Sequence, residues 1–446
     1  MTRFRPRVAA AIVIANMIGT GVFTSLGFQL VEIQSAPVIL ALWAVGGIAA
    51  LCGALSYAEL GAALPRSGGE YNFLTEIYHP MAGFISGWVS ATVGFAAPTA
   101  LAAMTFGSYL SAVFPQLSAI WLATGLIVVL ALAHSRSHRS SGSTQSLFTV
   151  LKILLIIGFA VLALLFNDAA QDTRFAPAPG DGALLLSGAF AVSLIYVNYA
   201  YSGWNAATYI SGELENPQRW LPRVLVGSTA LVGLSYLLLN SVFLAVAPME
   251  AMAGKVEVGF VAARFAFGEA GGTIMGLLLG LLLVSTVSAM VLAGPRVLHR
   301  IGEDFTLFRL LGRSNADGIP TTAVLVQAAL ALAFLWSASF DRILVFSGAT
   351  MALNTFFTVL GVFILRWRQP SLPRPFRTWL YPLPPLLFLL ITGWTLLYVV
   401  LQRPVEAMIT LLIVGSGAAF YFVSCSLGAH RKPPGAGREA KLDVQP

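Results

Sequence analysis

The first long apolar segment of this chain, residues 8–30, is interrupted at its midpoint by two glycines. Residues 18–23 read IGTGVF, at a depth where an ordinary membrane helix would continue unbroken. A helix that breaks there exposes backbone amides and carbonyls inside the membrane, which is how many transporters hold a zwitterionic substrate. Glycine is also common in membrane helices because it permits close packing. Taken alone, the segment is compatible with a binding site and with a packing surface.

Composition decides the broad class of the protein. Hydrophobic residues make up 57% of the 446 residues and charged residues only 10%, which excludes an ordinary soluble domain. A membrane helix needs roughly 20 apolar residues, and the chain contains twelve such segments. We place them at about 8–30, 37–63, 81–113, 119–134, 145–166, 185–211, 223–247, 271–293, 320–338, 343–365, 379–401 and 405–424.

These segments predict an all-α polytopic membrane protein with a single transmembrane domain over residues 1–427. The remainder, 428–446, is rich in proline, glycine and charge, and we expect it to be a disordered cytoplasmic tail. The lipid bilayer is therefore the expected surroundings of the chain.

The placement of positive charge predicts the orientation. With the N-terminus in the cytoplasm, twenty Lys and Arg residues fall inside, five fall outside, and only Lys152 lies within the membrane. This asymmetry follows the positive-inside rule and predicts cytoplasmic N- and C-termini in the plasma (inner) membrane. The net charge of +7 is then a consequence of topology, and we infer no nucleic-acid partner.

Residues that could hold a metal or form a covalent framework are sparse. Cys52 and Cys425 both lie in or beside membrane segments, so we predict no disulfide framework and no thiolate metal site. The five histidines fall in inner loops or at helix ends, and no His-Glu-x-x-His pattern occurs. We therefore predict no metal, no cofactor and no enzymatic activity.

A second interrupted segment is the counterpart of the first. Residues 196–207 read YVNYAYSGWNAA, with a Ser-Gly break at mid-span. Two broken helices five spans apart are typical of an inverted repeat with a site between its halves. We predict one repeat over about 8–166, the second over about 185–365, and two peripheral helices over about 379–424.

The helix ends at the two breaks predict the two halves of a site. Unwinding around Gly19 and Gly21 leaves amide N–H groups that attract a carboxylate, and Thr20 can add a hydroxyl. The carbonyls at the ends of half-helices carry partial negative charge and suit a primary ammonium. Such a pair selects an α-amino acid. The candidate binding residues are Met17, Ile18, Gly19, Thr20, Gly21, Tyr199, Ala200, Tyr201, Ser202, Gly203, Trp204 and Asn205.

These motifs resemble the amino acid–polyamine–organocation (APC) superfamily, and within it the L-type amino acid transporter (LAT) branch in its prokaryotic form. Residues 57–61 (YAELG), 65–71 (PRSGGEY) and 213–217 (ELENP) also match. The resemblance covers nearly the whole chain. It implies a LeuT-type 5+5 inverted repeat of twelve helices, with helices 1 and 6 broken and with alternating access to a central site.

The resemblance also implies roles for individual residues. Thr20 and Gly21 would bind the substrate carboxylate, the carbonyls of Ile18 and Tyr199 would bind the amine, and the ring of Tyr199 would form an outer lid. Ser202 stands where many relatives of this branch have a glycine.

Ser202, Trp204 and Asn205 of the second break could each contact the ligand or have a purely structural role. The side chain of Ser202 would reduce the pocket volume, which predicts small neutral L-amino acids as substrates, or it would turn away and cap the half-helix. Trp204 would line the pocket or pack in the bundle. We expect Asn205 to brace the broken helix rather than to contact the ligand.

Lys152 needs a partner or a protein-lined cavity, because a charge at that depth costs on the order of 3 kcal/mol or more. The alternative is snorkelling from roughly 13 Å deep. The resemblance implies that Lys152 stands where sodium-coupled relatives hold a cation between helices 1 and 8, and therefore implies sodium-independent transport. A permanently charged lysine suits exchange, whereas one that releases its proton during the cycle suits proton symport.

The residues expected to control conformation surround this lysine. The candidate hydroxyl partners of Lys152 are Ser285, Thr286 and Ser288. Tyr236 matches a tyrosine that the L-type branch places near the site, and it would support Lys152 or the broken helix, with aromatic packing as the alternative. In the inward-closed state, inner-gate ion pairs could join one of Glu59, Glu213 and Glu215 to one of Arg66, Arg219 and Arg296, although charges at helix ends are often only solvated.

Other functions use the same pocket. An amino acid sensor and a carrier of polyamines or cationic amino acids are the alternatives to a sodium-independent exchanger of small neutral amino acids. In the animal L-type branch a cysteine between helices 3 and 4 joins a partner glycoprotein. The corresponding loop here, residues 114–118, has none, and we expect no disulfide-linked accessory subunit.

Overall fold

The computed structural model describes residues 5–136, 142–166, 173–315 and 317–426. Within these ranges the chain is helical and contains no β-strand. The expected tail at 428–446 lies outside the described residues.

Seventeen α-helices occur in the described part. They are α1 Pro6–Met17, α2 Gly21–Glu32, α3 Ala36–Ala63, α4 Glu70–Ile77, α5 Pro80–Val89, α6 Ala96–Val113, α7 Ala119–Arg136, α8 Gly142–Phe166, α9 Asp181–Leu185, α10 Gly188–Tyr201, α11 Pro217–Val246, α12 Met249–Met252, α13 Val258–Asp304, α14 Thr321–Ser337, α15 Phe340–Arg368, α16 Leu383–Gln402 and α17 Pro404–Ser426.

The helices account for the twelve predicted spans. Ten helical units in the described part are long and apolar enough to cross a membrane, with α1 and α2 together forming the first. The sixth and ninth spans correspond to the shorter helices α10, with 14 residues, and α14, with 17 residues. The all-α polytopic fold with two broken helices is confirmed.

The first span is broken where the glycines predict it. α1 ends at Met17, Ile18 has non-helical backbone angles (φ −76°, ψ 76°), and helical structure resumes at Gly21. α1 begins on one side of the bundle, which we call the N-terminal side, and α2 ends on the opposite side. The break therefore lies near the middle of the bundle.

The sixth span is broken in the same way. α10 ends at Tyr201, Ser202 is extended (ψ 148°), and Gly203 has a φ of 96°. A positive φ of this kind favours glycine. The chain then continues as a 3₁₀-helix over Ala206–Glu213, so the second break resembles the first in position but resumes with a tighter helix.

Two regions differ from the expected element pattern. The third span is not one helix, because a π-helical turn over Ser90–Gly94 separates α5 from α6. Residues 248–270 lie between the seventh and eighth predicted spans, where no helix was predicted. They instead contain α12 and the first section of α13, which a kink at Gly268 (φ 72°) separates from the eighth span. Glycine tolerates this φ, so the chain can change direction here between two helical sections.

Glu59 forms an ion pair that differs from the predicted inner gate. Its buried carboxylate accepts hydrogen bonds from Arg366 at 2.8 and 2.7 Å and from the Thr378 amide at 2.7 Å. Arg374 Nε lies 3.6 Å away, and the Arg366 guanidinium stacks over Tyr381 at 3.6 Å. The cluster ties α3 to the end of α15 and to the segment before α16.

In this conformation Glu59 pairs with none of Arg66, Arg219 and Arg296 among the described residues, and the inner gate predicted for the inward-closed state stays a prediction. Neither Glu213 nor Glu215 forms an ion pair with these arginines within the described residues. Glu59 is buried in this conformation, and its ionic contacts come from α15 and the segment that follows it.

Candidate functional site

A cavity of about 610 Å³ lies between the two breaks and extends to the N-terminal side of the bundle. It is lined by residues of both broken helices, the π-helical turn, α13, α15 and α16. Ten of the twelve candidate binding residues line this cavity, and the other two, Ile18 and Ala200, lie in the break segments beside it. The lining ones are Met17, Gly19, Thr20, Gly21, Tyr199, Tyr201, Ser202, Gly203, Trp204 and Asn205.

The two breaks lie in close backbone contact. A Cβ atom built on Gly21 would lie 2.4 Å from the Ala200 Cα, and one built on Gly203 would lie 2.8 Å from the Asn16 carbonyl carbon. No side chain fits between these backbones. Gly21 and Gly203 therefore act as packing glycines as well as break positions, so the packing interpretation of the glycine motif holds and the binding interpretation stays a prediction.

The start of α2 presents hydrogen-bond donors beside the cavity. The Phe23 amide bonds to the Thr20 carbonyl at 3.0 Å, but the amides of Gly21 and Val22 have no backbone acceptor in the described part of the chain. The Thr20 and Tyr199 hydroxyls share a hydrogen bond of 3.2 Å. Free amides at a helix N-terminus favour an anion, so this end of the site suits a carboxylate.

The carbonyls expected to bind the amine are not equally available. Met17 O accepts from Tyr236 Oη at 2.6 Å and from the Gly19 amide at 2.7 Å. Tyr199 O accepts from Ser202 Oγ at 2.7 Å and from the Ser202 amide at 3.0 Å. Because a carbonyl has two lone pairs, both oxygens are fully used in this conformation.

Ile18 O remains as the available acceptor of the predicted set on the first break. It receives no hydrogen bond within the described residues, and its backbone has left the helix. An ammonium group at this carbonyl would lie in the same break as the free amides of α2, which begins at Gly21. The first break can thus bind both ends of a zwitterion.

Tyr236 on α11 joins the two broken helices. Its buried hydroxyl lies 2.6 Å from Met17 O and 3.0 Å from Ala200 O. Its ring packs edge-on against Trp43, with centroids 5.6 Å apart. The predicted support of the broken helix and the alternative of aromatic packing therefore both hold for this residue.

Tyr236→Phe should slow transport by about tenfold, since it leaves the ends of both half-helices without a buried hydrogen-bond donor, a loss of about 1–2 kcal/mol. Initial uptake rates in proteoliposomes measure this. The matched control is Tyr78→Phe. It removes a hydroxyl that donates to Phe357 O at 2.7 Å, in a part of the bundle away from the breaks. Equal rates in the two variants would contradict a role for Tyr236 at the breaks.

Ser202 both caps the end of α10 and lines the cavity. Its hydroxyl bonds to Tyr199 O at 2.7 Å, so the capping interpretation holds, while its exposed side chain faces the cavity. Trp204 is buried against Tyr57, with ring centroids 4.7 Å apart, and also lines the cavity. These two residues narrow the cavity at the second break.

Asn205 braces the broken helix through a carboxylate that the sequence analysis did not single out. Its amide donates to Glu70 Oε1, which also accepts from Tyr57 Oη at 3.0 Å. Glu70 is buried and opens α4. The motif at residues 65–71 contains this glutamate, but its sequence gives no sign of which distant residue it contacts.

Lys152 is buried and has a defined partner. Its Nζ donates to Thr286 Oγ1 at 3.0 Å, and its helix α8 packs against α1 and α13. Of the other candidate hydroxyls, Ser285 is buried, and Ser288 Oγ contacts His134 Nε2 at 2.8 Å. The lysine thus points toward the eighth span beside the first break, and the snorkelling interpretation is not supported.

The bundle is closed on the side opposite to the N-terminus. Phe28 of α2 stacks on Tyr196 of α10 at 5.9 Å and on Phe340 at 5.3 Å between ring centroids. The Tyr196 hydroxyl donates to Asp341, which pairs with Arg403 at 2.9 Å. The cavity therefore has its opening on the N-terminal side, and the conformation is open to one side only.

A helical membrane protein whose two broken half-helices face each other across a one-sided cavity is a transporter of the LeuT-type fold. The sequence profile described as "Amino acid permease" matches residues 7–419. The chain belongs to this amino acid permease family of the APC superfamily, and it is an amino acid transporter rather than an enzyme.

Individual relatives are similar over nearly the whole chain. The human b(0,+)-type amino acid transporter 1 is 26% identical, over 93% of this chain and 86% of its own length. The mouse Large neutral amino acids transporter small subunit 2 and the mouse Asc-type amino acid transporter 1 are each 28% identical, over 93% of this chain and 79% of their own length. The resemblance to L-type transporters is thereby confirmed.

Proposed function

We propose that this protein is a sodium-independent exchanger of small neutral L-amino acids that works by alternating access in the plasma membrane. Lys152 is the observation that carries the proposal. Its ammonium donates to Thr286 of α13 at 3.0 Å, and its own helix, α8, packs against both α1 and α13. A fixed positive charge between the first and eighth spans occupies the place of a coupling cation, so no sodium is needed.

The preference for neutral substrates rests on the charge of the cavity lining. No Asp or Glu side chain is among the residues that line the cavity in the described part of the chain. A polyamine or a cationic side chain would therefore enter an apolar pathway without a carboxylate to pair with, which is costly. This argues against the alternative of a polyamine or cationic amino acid carrier.

The preference for small substrates rests on the second break. Ser202 and Trp204 line the same cavity as the start of α2, and the hydroxyls of Tyr199 and Thr20 share a hydrogen bond across it. A substrate anchored at the first break has little room for a branched or aromatic side chain. Alanine and serine are the expected substrates.

The cavity opening would face the cytoplasm in the proposed orientation, with both termini on the same side as the opening. We expect the chain to act without a disulfide-linked subunit, although one relative is named as a small subunit. The loop at 114–118 lacks cysteine, and Cys52 is buried in α3. Co-purification of a second chain that reducing agent releases would contradict this expectation.

Labelled alanine should enter proteoliposomes only when they contain internal amino acid, and at equal rates with and without sodium. Counter-transport is expected because an exchanger changes its open side only with substrate bound, and with Lys152 in the place of a coupling ion no ion gradient drives net uptake. The measurement compares loaded with empty vesicles at two pH values. An amino acid sensor would bind the label without taking it up.

Two outcomes would contradict the exchange mechanism. Accumulation in empty vesicles that increases with external acidity would establish proton symport, in which Lys152 releases its proton during the cycle. Sodium-dependent uptake would show that the lysine does not replace a cation. Vesicles that contain the Lys152→Ala variant supply the control for leakage.

A further inference from the structure

A stripe of α13 runs from the central site to the mouth of the cavity and ends in two arginines. Its members recur at helical spacing, so they share one face of α13. They are Thr286, Met290, Ala293, Arg296, Val297, Arg300 and Ile301. The charged end of this stripe has no role in the site described above.

The two arginines differ in their surroundings. Arg300 pairs with Glu303 at 3.0 Å. Arg296 is exposed to the cavity and forms no ion pair within the described residues. The predicted inner-gate partner Glu59 is taken by Arg366. Arg296 is therefore an uncompensated positive charge on the wall of the pathway.

Arg296 is too far from the central site to bind the same substrate molecule. Ten residues separate it from Thr286, which places it about 15 Å further along α13 at a rise of 1.5 Å per residue. An α-amino acid cannot contact the free amides of α2 and this guanidinium at the same time. Any ligand of Arg296 occupies a second position in the cavity.

We propose that Arg296 forms a second, inner binding station that holds the carboxylate of an amino acid and repels cations as they enter or leave. A guanidinium binds a carboxylate through two parallel hydrogen bonds. A cleft lined by one sign of charge between low-dielectric walls also raises the local concentration of oppositely charged groups. This inference rests on the proposed function, because it assumes that amino acids pass through this opening.

The station acts on one face of the membrane only. In the proposed orientation, substrate from the cytoplasm meets Arg296 before it reaches the central site, whereas substrate from outside meets the central site first. Loss of the charge should therefore raise the KM for internal amino acid and leave the KM for external amino acid unchanged. An arginine that served only to set the membrane topology would not produce this asymmetry.

The test compares the KM for alanine from the two faces, in inside-out and right-side-out membrane vesicles that contain the full chain. Arg296→Gln should raise the inner-face KM about fivefold, which is the loss expected for one partly solvated charge-assisted contact. Arg296→Lys, which keeps the charge, should stay close to the wild type. High salt should reduce the difference between Arg296→Gln and the wild type, because it screens exposed charges.

Charge reversal tests the repulsion of cations. Free lysine on the inner face should inhibit the Arg296→Glu variant more strongly than the wild type. We expect the inhibitory concentration for alanine transport to be about fivefold lower in the variant, because the sign of the local potential is reversed. The matched control is Arg223→Gln, which removes a positive charge at the N-terminal side of α11. Arg223 stacks on Trp220 at 5.2 Å and does not line the cavity.

Three results would overturn the inner station. They are an unchanged inner-face KM in Arg296→Gln, equal changes on both faces, and a change confined to the outer face. None of these depends on the coupling mechanism. If the wild type accumulates alanine in empty vesicles, exchange is refuted, but the two KM values can still be measured and the station is judged on its own result.

Discussion

Replacing Lys152 by alanine should reduce amino acid exchange by at least about tenfold, since a buried charge-assisted hydrogen bond is worth about 1.5–3 kcal/mol. The lysine bonds to Thr286 at 3.0 Å and lies on a helix that contacts both α1 and α13. Its loss removes the hydrogen bond that joins α8, which packs on α1, to Thr286 of the eighth span. Exchange rates in proteoliposomes measure the effect.

The design separates charge from hydrogen bonding and from general damage. Thr286→Val removes the partner but keeps the ammonium, so it should impair exchange less than Lys152→Ala. Lys255→Ala is the control, because that lysine is exposed in the loop before α13. Wild-type rates in Lys152→Ala would contradict a role of the lysine in exchange and would support the snorkelling interpretation. A variant that becomes stimulated by sodium would support the view that the ammonium replaces a cation.

The fold could be predicted because hydrophobic length and glycine position act locally. Twelve apolar segments set the number of spans, and the glycines at 19, 21 and 203 mark the breaks, since few other residues allow such backbone contacts and angles. The details that were missed depend on conformations that sequence does not encode strongly. The π-helical turn over Ser90–Gly94 lies inside an apolar segment with no break signal, and the kink at Gly268 lies in a stretch between two predicted spans whose several glycines do not indicate where the helix bends.

The partners of the polar residues could be predicted less well than the residues themselves. Ser285, Thr286 and Ser288 differ only in helical phase, and the choice of Thr286 depends on the rotation of α13 relative to α8. Glu59 and Arg366 are separated by 307 positions, and only the packed bundle brings them together. Motifs thus identify which residues carry function, whereas pairing requires the tertiary structure.

The hydrogen bonds of the carbonyls at the breaks are a further feature that could not be predicted from the sequence. Sequence and resemblance both placed the amine at carbonyls of the two breaks, but they could not show that Tyr236 and Ser202 already donate to Met17 and Tyr199. These bonds leave Ile18 O as the available acceptor at the first break. Tyr199 O becomes available for a substrate only if Ser202 releases it, which connects substrate binding to the geometry of the second break.

Gly21→Ala should abolish transport, because the added methyl group would lie 2.4 Å from the Ala200 Cα and 2.7 Å from its Cβ. Backbone atoms cannot move aside as a flexible side chain can, so α2 and α10 must separate. Overpacking of this kind costs about 1–3 kcal/mol. It also displaces the free amides at the start of α2 from the ligand position, and we expect uptake at the level of empty vesicles.

Two glycine variants distinguish this steric effect from a general intolerance of substitution. Gly125→Ala adds a methyl group with no atom within 4 Å and should leave both uptake and melting temperature unchanged. Gly19→Ala, whose nearest contact is Met17 O at 4.0 Å, should leave the melting temperature unchanged. Gly21→Ala should lower it. Normal uptake by Gly21→Ala would show that the two broken helices do not need their close contact, and the amide-based carboxylate site would have to be abandoned.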